Sequence, residues 1–236
     1  MKILSWNILH GGGSRVIDIV EGIRQHDPDV VCLQEFRHGK SREPLCAGLK
    51  EAGLRHQFTP KVDNARRNTM AVFSRYDFTA TVTFEGDEHS ARLINLQLND
   101  CPVPALRIIA ASFPHKKAQL PVFDHLLSLP ADYLATPSLM IGDFNCGIPF
   151  EDSETRSFYA THQFQALLRK GWIDSWRSRN PKTREFTWFS TQKGNGFRYD
   201  HALTSPVFDQ KISRIEYDHA LRESGISDHS ALLVSL

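Results

Sequence analysis

Short apolar segments with the composition of β-strands recur along the whole chain, and they restrict its fold more than any other feature of the sequence. They lie at residues 2–8, 30–34, 70–74, 79–84, 92–98, 107–113, 139–143, 186–190, 198–204, 212–217 and 230–236. Segments with helical spacing of apolar residues stand among them, between Ser14 and Pro28 and at 44–52, 118–129 and 157–170. Many strands with a few helices between them predict a layered α/β sandwich.

The composition agrees with one globular domain and excludes several other classes of protein. A chain of 236 residues, 41% hydrophobic and 23% charged, can bury a sizeable core, and we expect a single domain over 1–236. The formal net charge of +1 gives no sign of a polyanionic or membrane partner, although a local basic patch is compatible with it. No apolar run approaches the ~18 residues of a membrane helix, and the start of the chain is too polar for a signal peptide.

The cysteines indicate the compartment. None of the four forms a CxxC pair, which favours a reduced, cytoplasmic protein without a disulfide framework. We expect no membrane association, and no obligate protein partner is evident from the sequence.

Polar side chains stand at or just after the ends of several apolar strands. They are Asn7, Glu35, Asp143, Asn145, Asp200, Asp228 and His229. A carboxylate is costly to bury unpaired, so it lies where a cation or a hydrogen-bond donor compensates it. Each residue alone has a simpler interpretation, as a turn former or as a surface or core histidine. Their joint occurrence indicates a single site where loops gather at the strand ends.

The donor atoms of this set predict a hard divalent cation. Carboxylate and amide oxygens without a thiolate cluster suit Mg²⁺ or Mn²⁺. Mg²⁺ keeps several waters and takes one or two protein carboxylates, so one Glu and one Asp would be enough.

Five segments occur in an order that is typical of a known family. They are Ser5-Trp6-Asn7, Leu33-Gln34-Glu35, Gly142-Asp143-Phe144-Asn145, Arg198-Tyr199-Asp200 and Ser227-Asp228-His229. In these segments the chain resembles the endonuclease/exonuclease/phosphatase superfamily, which includes exonuclease III-type and deoxyribonuclease I-type enzymes. The resemblance runs from residue 5 to residue 229. It implies a four-layered α/β sandwich with two central mixed β-sheets flanked by helices, and metal-assisted hydrolysis of a phosphate ester.

The resemblance also implies a metal site. Glu35 would hold the divalent ion, with Asn7 and Asp228 as further ligands nearby. The expected ion is Mg²⁺, for which Mn²⁺ can substitute.

The remaining motif residues have implied catalytic roles. Asp143 would orient or deprotonate the attacking water, and Asn145 would donate a hydrogen bond to a phosphate oxygen. His229 would bind the phosphate or assist proton transfer, while Asp200 would fix the tautomer of His229. Because successive strand residues point to opposite faces, His201 is expected to be structural.

The segment 111–115 departs from the family pattern. The family usually places a Tyr or His at the end of this strand, and by alignment on Pro114 the tyrosine position is held by Ser112. His115 follows and is the alternative phosphate contact or acid. It is equally compatible with a loop histidine beside Lys116 and Lys117.

Two basic stretches indicate a nucleic-acid backbone as the substrate. Residues 37–75 contain nine Lys or Arg against three acids, and residues 169–184 contain six against one. Trp172, Trp176, Trp188 and Phe197 lie in or near the second stretch and are candidates for stacking on bases. The alternative is a solvated basic surface with its aromatic residues in the core.

The leading hypothesis is therefore a Mg²⁺-dependent phosphodiesterase that acts as a nuclease, with DNA as its partner. The alternatives are a phosphatase or phosphodiesterase for a small-molecule or lipid headgroup substrate, and an inactive binding module on the same scaffold. The run Gly11–Gly13 lacks the Lys-Ser/Thr of a phosphate-binding loop, so it is weak support for nucleotide binding.

Overall fold

The computed structural model describes residues 1–83, 91–156 and 158–236. The strands in these ranges are β1 (Lys2–Asn7), β2 (Val30–Phe36), β3 (His56–Phe58), β4 (Thr69–Ser74), β5 (Phe78–Val82), β6 (Leu93–Leu98), β7 (Arg107–Ser112), β8 (Ser138–Asp143), β9 (Ile173–Asp174), β10 (Trp188–Phe189), β11 (Gly196–Phe197), β12 (Asp200–Thr204), β13 (Arg214–Asp218) and β14 (Ala231–Ser235). The helices are α1 (Val16–His26), α2 (Arg42–Glu51), α3 (Leu120–Ser128), α4 (Asp132–Ala135), α5 (Thr161–Lys170), α6 (Ser175–Arg179), α7 (Pro206–Asp209) and α8 (Ala220–Glu223).

Twelve of these strands form two mixed sheets of six strands each. The first sheet has the order β13-β14-β1-β2-β4-β3, and the second has the order β5-β6-β7-β8-β12-β9. Each sheet contains one parallel pair near its centre, β1 with β2 and β7 with β8, and its other pairs are antiparallel. β10 and β11 form a separate two-stranded ribbon.

Three hydrophobic cores separate four layers. The central core lies between the two sheets and contains side chains such as Ile3 of β1 and Ile108 of β7. A second core packs α1 and α2 onto the first sheet, and a third packs α3 and α5 onto the second sheet. The predicted four-layered α/β sandwich with two central mixed sheets is confirmed.

The alternation of side chains in β1 explains how one short strand serves two cores. Ile3 faces the central core, whereas Leu4 and Trp6 face the core under α1 and α2. Strands that are buried on both faces are apolar throughout, which is the pattern in the sequence. Full burial of each large side chain contributes about 1.5–3 kcal/mol.

Several elements differ from their predicted bounds. β2 continues past residue 34 to Phe36 through an irregularity in its pairing with β4, so Glu35 lies inside the strand. The strand predicted from residue 198 begins only at Asp200, because Arg198 is held by buried carboxylates described below. β3 was not predicted because it is only three residues long. Phe84 and Ser157, at the ends of a predicted strand and helix, lie outside the described residues.

Within the described ranges, every helix is too short or too polar to cross a membrane.

Candidate active site

Strands from both sheets end at one edge of the sandwich and enclose a polar cleft. Asn7 ends β1, and Asp143 ends β8 directly opposite Asp200, the first residue of β12. The cleft has a volume of about 300 Å³. Seven of the eight predicted site residues line it, namely Asn7, Glu35, His115, Asp143, Asn145, Asp228 and His229.

Asp143 reaches the cleft because Gly142 lets β7 and β8 approach closely. Gly142 has a φ of +148°, and a Cβ there would lie 1.8 Å from the carbonyl oxygen of Ala111. The Asp143 carboxylate accepts hydrogen bonds from the backbone N–H of Asn145 at 2.9 Å and from Nδ2 of Asn7 at 3.1 Å. Burial raises the pKa of Asp143 to about 7, so this carboxyl can exchange a proton near neutral pH.

Asn145 is held in a left-handed conformation that turns its amide toward Asp143. Its φ is +47°, which Asn tolerates better than most residues. Its Nδ2 donates to the carbonyl oxygen of Phe113 at 2.8 Å and lies 3.2 Å from Oδ2 of Asp143. Asn145 is therefore a neutral side chain at the wall of the cleft, oriented by Phe113 and Asp143.

His229 and Asp200 form a buried pair. Nδ1 of His229 lies 2.9 Å from Oδ2 of Asp200, and the two residues are 5% and 1% exposed. Burial opposes the imidazolium, but the Asp200 carboxylate more than offsets it and raises the pKa of His229 to about 10. Asp200 lies behind His229, so it acts on the cleft through the imidazole. The protonated imidazole therefore presents a cationic donor to the cleft, with its counter-charge on Asp200 behind it.

The loop before β14 brings two neighbouring side chains into the same cleft. Asp228 and His229 precede the regular strand, so strand alternation does not separate them. The loop is fixed by Trp6, whose Nε1 donates to the carbonyl oxygen of His229 at 2.9 Å. Ser227 donates to the carbonyl oxygen of Asn7 at 2.6 Å, which ties the loop to the end of β1.

A buried ion network holds the chain just before β12, and the sequence analysis missed it. Arg198 is fully buried and donates to Asp152 and Asp174, with its shortest contact to each at 2.6 Å. Although burial alone would raise it, the Arg198 guanidinium holds the pKa of Asp174 well below its usual range. His201 lies on the opposite face of β12 from Asp200 and contacts Asp174 and the carbonyl oxygen of Cys146. The network thus anchors the segment that carries Asp200.

Glu35 enters the cleft from a strained position in β2. Its φ of +57° is unusual for a non-glycine residue, and such a conformation costs about 1–3 kcal/mol. Its Oε2 accepts a hydrogen bond from the backbone N–H of His10 at 2.8 Å. His10 also lines the cleft and was not predicted as a site residue.

The oxygens at this end of the cleft fit a hard divalent cation. Oδ1 of Asp228 is buried without a hydrogen-bond partner among the described residues, while its Oδ2 accepts from Nε1 of Trp188 at 2.9 Å. Glu35 and Asn7 supply further oxygen donors. No group of three or more His, Cys, Asp or Glu side chains with metal-binding geometry occurs in the described ranges. This donor set suits Mg²⁺, which completes its shell with water, better than a metal that needs a closed protein cage.

Two aromatic side chains, Trp188 and Tyr199, form one wall of the cleft. Their ring centroids are 5.4 Å apart, and Tyr199 stacks on the buried Phe197 at 5.1 Å. Tyr199 was missed because a regular strand would turn it away from Asp200, whereas β12 starts only after it. The prediction that Trp172, Trp176 and Phe197 could stack on bases is wrong, since these residues are only 2%, 4% and 6% exposed. Trp172 and Trp176 belong to the core, as the alternative interpretation expected.

Arg92 stands beside the acidic side of the cleft and gave no signal in the sequence. Its Nε is buried without a hydrogen-bond partner in the described part of the chain. Burial lowers the pKa of Arg92, as does Arg67, while Asp143 and Glu35 oppose that change. A buried donor near these carboxylates is poised to meet an anionic oxygen.

Comparison with known proteins identifies the family of this chain. The profile of the Endonuclease/Exonuclease/phosphatase family matches residues 4–229, and the chain belongs to this family. Its coarse class is therefore that of a hydrolase of phosphate esters.

Solved structures of similar fold cover the whole chain. An AP endonuclease from Archaeoglobus fulgidus has a TM-score of 0.82 at 19% identity, over 100% of this chain and 99% of that one. A single-residue variant of the 3′ phosphatase NExo from Neisseria, bound to a product DNA hairpin, has a TM-score of 0.83 at 22% identity with the same coverage. The 3′-5′ exonuclease NExo from Neisseria meningitidis has a TM-score of 0.81 at 22% identity, again over 100% and 99% of the two chains.

Proposed function

We propose that this protein is a Mg²⁺-dependent phosphodiesterase that acts as a nuclease on DNA. The whole chain, 1–236, would work as one cytoplasmic domain without a membrane or an obligate protein partner. The free state of all four cysteines, which lie in the described ranges, supports a reducing compartment. The observation that carries the proposal is the convergence of Asp143, Asn145 and the Asp200–His229 pair on one cleft.

The residues of this cleft divide the work of hydrolysis. His229, held protonated by Asp200, binds a nonbridging phosphate oxygen and stabilises the charge that develops on it. Asn145 exchanges its 3.2 Å contact with Asp143 for a hydrogen bond to the phosphate. Asp143 orients the attacking water and accepts its proton, for which a pKa near neutral is well suited. His115, which lines the cleft, contacts the substrate phosphate, and Arg92 adds positive charge near Asp143 and Glu35.

Glu35, Asn7 and Asp228 are the proposed ligands of the Mg²⁺ ion, which Mn²⁺ can replace. The bound ion would supply Lewis-acid stabilisation of the leaving oxyanion. The unpartnered Oδ1 of Asp228 supports this assignment, because a buried carboxylate oxygen without a donor is costly.

DNA is the proposed substrate because the first basic stretch has exposed cations beside a groove. Lys40, Arg42 and Lys50 are exposed and line a groove of about 590 Å³ along α2. In the second stretch, Arg177 and Arg179 are instead engaged by Asp152 and Asp209 at 2.9 and 2.8 Å. The names of the neighbouring structures, an AP endonuclease, an exonuclease and a 3′ phosphatase bound to a DNA hairpin, agree with this choice.

A substrate panel tests the proposal and separates it from its alternatives. Purified protein is assayed on duplex, single-stranded and abasic-site DNA, RNA, inositol phosphates and sphingomyelin, each with Mg²⁺, Mn²⁺ or EDTA. We expect metal-dependent cleavage of DNA. Turnover restricted to a phosphomonoester or a lipid headgroup would refute the nuclease assignment, while the proposed hydrolysis of a phosphate ester in this cleft would still hold. The absence of turnover on every substrate would favour an inactive binding module.

A further inference from the structure

Trp188 differs from the other three tryptophans of the chain in its surroundings. Those three are at most 4% exposed and belong to the hydrophobic cores, namely Trp6, Trp172 and Trp176. Trp188 is half-buried and lines the cleft. Its ring centroid lies 5.4 Å from that of Tyr199 and 5.8 Å from that of Phe197. These two rings hold the indole of Trp188 in one orientation.

The polar edge of the Trp188 indole meets the carboxylate of Asp228. Nε1 of Trp188 donates to Oδ2 of Asp228 at 2.9 Å, whereas Oδ1 of Asp228 is buried without a hydrogen-bond partner among the described residues. An indole N–H is a donor only, and it carries no charge. It therefore orients the carboxylate without neutralising it, and it leaves one oxygen for a cation.

The carboxylates of Asp152 and Asp174 are held in a different way. Both form buried ion pairs with the guanidinium of Arg198 at 2.6 Å. A cationic partner at this distance offsets the attraction of a carboxylate for a second cation. The neutral donor on Asp228 thus suits a metal ligand, whereas the cationic donor on the other two suits a structural role.

The backbone joins β10 to the loop of Asp228 independently of the indole. The carbonyl oxygen of Thr187 accepts a hydrogen bond from the backbone N–H of Ser230 at 3.0 Å. The backbone N–H of Thr187 donates to the carbonyl oxygen of Phe197 at 2.8 Å, which ties β10 to β11. Loss of the indole N–H alone would leave both of these bonds in place.

We propose that Trp188 is a positioning residue, whose indole N–H holds Asp228 so that Oδ1 is available to the divalent ion. The inference rests on the proposed function, because it presumes that Asp228 binds the metal. It gives Trp188 a role other than the base stacking expected from the neighbouring basic stretch. Hydrogen-bond partners of metal-binding carboxylates act in this way, and their loss weakens metal affinity by about 10–100-fold.

The test measures binding of Mn²⁺ alone to the full chain by electron paramagnetic resonance, without substrate. Trp188→Phe keeps an aromatic ring in the wall of the cleft but removes the N–H. We expect it to raise the Mn²⁺ dissociation constant about 10-fold. The control is Phe189→Leu, the next residue of β10, whose exposed ring packs against Arg222, and it should keep wild-type affinity. Circular dichroism verifies that both variants fold.

Tryptophan fluorescence gives a second measurement, on the wild-type protein. Because the other three tryptophans lie in hydrophobic cores, an ion at Asp228 should change mainly the emission of Trp188. We expect a saturable change of emission on addition of Mg²⁺, and the loss of this change in Trp188→Phe.

The possible outcomes separate this inference from the proposed function. Equal Mn²⁺ affinity in Trp188→Phe and the wild type, or an equal loss in Phe189→Leu, would overturn the positioning role. Wild-type emission that does not respond to Mg²⁺, in a protein that binds Mn²⁺, would overturn it as well, because the ion would not touch the carboxylate that Trp188 holds. If the wild type fails to bind Mn²⁺, the proposed metal site itself is wrong.

Discussion

The chemical character of each buried carboxylate is set by its neighbours rather than by its residue type. Asp143 and Asp174 are both buried, yet their pKa values move in opposite directions. Burial raises the pKa of Asp143, whose direct donors are neutral amides. The Arg198 guanidinium instead keeps Asp174 ionised. Of these two carboxyls, Asp143 is therefore the one suited to exchange a proton during a reaction, whereas Asp174 stabilises the structure.

The Asp200–His229 pair gives a residue-scale prediction for activity. We expect His229→Ala to lower kcat by about 10²–10⁴-fold, because the phosphate loses its buried cationic donor. Steady-state kinetics on the best substrate of the panel measures the effect, and circular dichroism verifies folding. His162→Ala, an exposed histidine on α5, is the control and should keep wild-type rates. Near-normal turnover in a folded His229→Ala protein would remove His229 from the mechanism.

Among the elements, β12 shows how packing away from the cleft fixes a residue within it. Asp200 leads the strand, and the preceding Arg198 is clamped by Asp152 from one loop and Asp174 from the end of β9. Tyr217 of β13 adds a hydrogen bond to the carbonyl oxygen of Asp200 at 2.7 Å. Contacts from three separate parts of the chain thus locate the start of one short strand.

The buried ion pairs of Arg198 with Asp152 and Asp174, which we call the Arg198 clamp, predict how stability changes with pH. The native pKa values of Asp152 and Asp174 lie below their unfolded values near 3.9, so the unfolded chain binds more protons in acid. Their contribution is complete above about pH 5 and is lost as the pH falls. Urea unfolding should therefore show stability that begins to fall near pH 5 and falls most steeply below the unfolded pKa near 3.9.

Two variants distinguish the contribution of the Arg198 clamp to stability from that of other carboxylates. Asp174→Asn should cost about 3–5 kcal/mol at pH 7 and show a shallower dependence on pH, because one of the two carboxylates no longer titrates. Asp132→Asn breaks an exposed ion pair with Arg107 and should change stability by at most about 0.5 kcal/mol. An unchanged acid slope in Asp174→Asn would contradict the role of the clamp.

Across the whole molecule, the near-neutral net charge conceals an uneven distribution. Carboxylates gather at the cleft, whereas Lys40, Arg42 and Lys50 remain exposed along α2. A chain with a net charge of +1 can therefore still offer a local track for a polyanion.

The salt dependence of DNA binding tests that track. Each lost phosphate contact lowers the slope of log K against log salt by about 0.9 for duplex DNA. The triple change Lys40→Ala, Arg42→Ala and Lys50→Ala should lower the slope by about 2–3, as measured by fluorescence anisotropy in NaCl. Lys211→Ala, at an exposed lysine near the opposite end of β12, should leave it unchanged. If the triple variant and the wild type had the same slope, DNA would not bind along α2.

The sequence predicted the polar residues at or near strand ends, because an apolar segment followed by a polar residue can be recognised without knowing the strand order. His10 escaped this reasoning, since its position depends on five successive left-handed residues. Arg198 escaped because its partners lie 46 and 24 residues away. Trp172 and Trp176 were predicted to be at the surface because their sequence neighbours are basic, whereas packing buries them. Local pattern thus predicted the residues of the candidate site, and long-range contacts determine how the structure holds them.

The central claim, that the cleft hydrolyses DNA phosphodiesters with a divalent ion held by Glu35, is tested most directly by a Mg²⁺ titration of cleavage. Initial rates on a short labelled DNA duplex are measured for the wild type and Glu35→Gln, with EDTA as the zero point. We predict that cleavage depends on Mg²⁺ in a saturable way and stops in EDTA, and that Glu35→Gln needs an about 10–100-fold higher Mg²⁺ concentration for half-maximal rate. Cleavage that persists in EDTA, or identical Mg²⁺ curves for the two proteins, would contradict it.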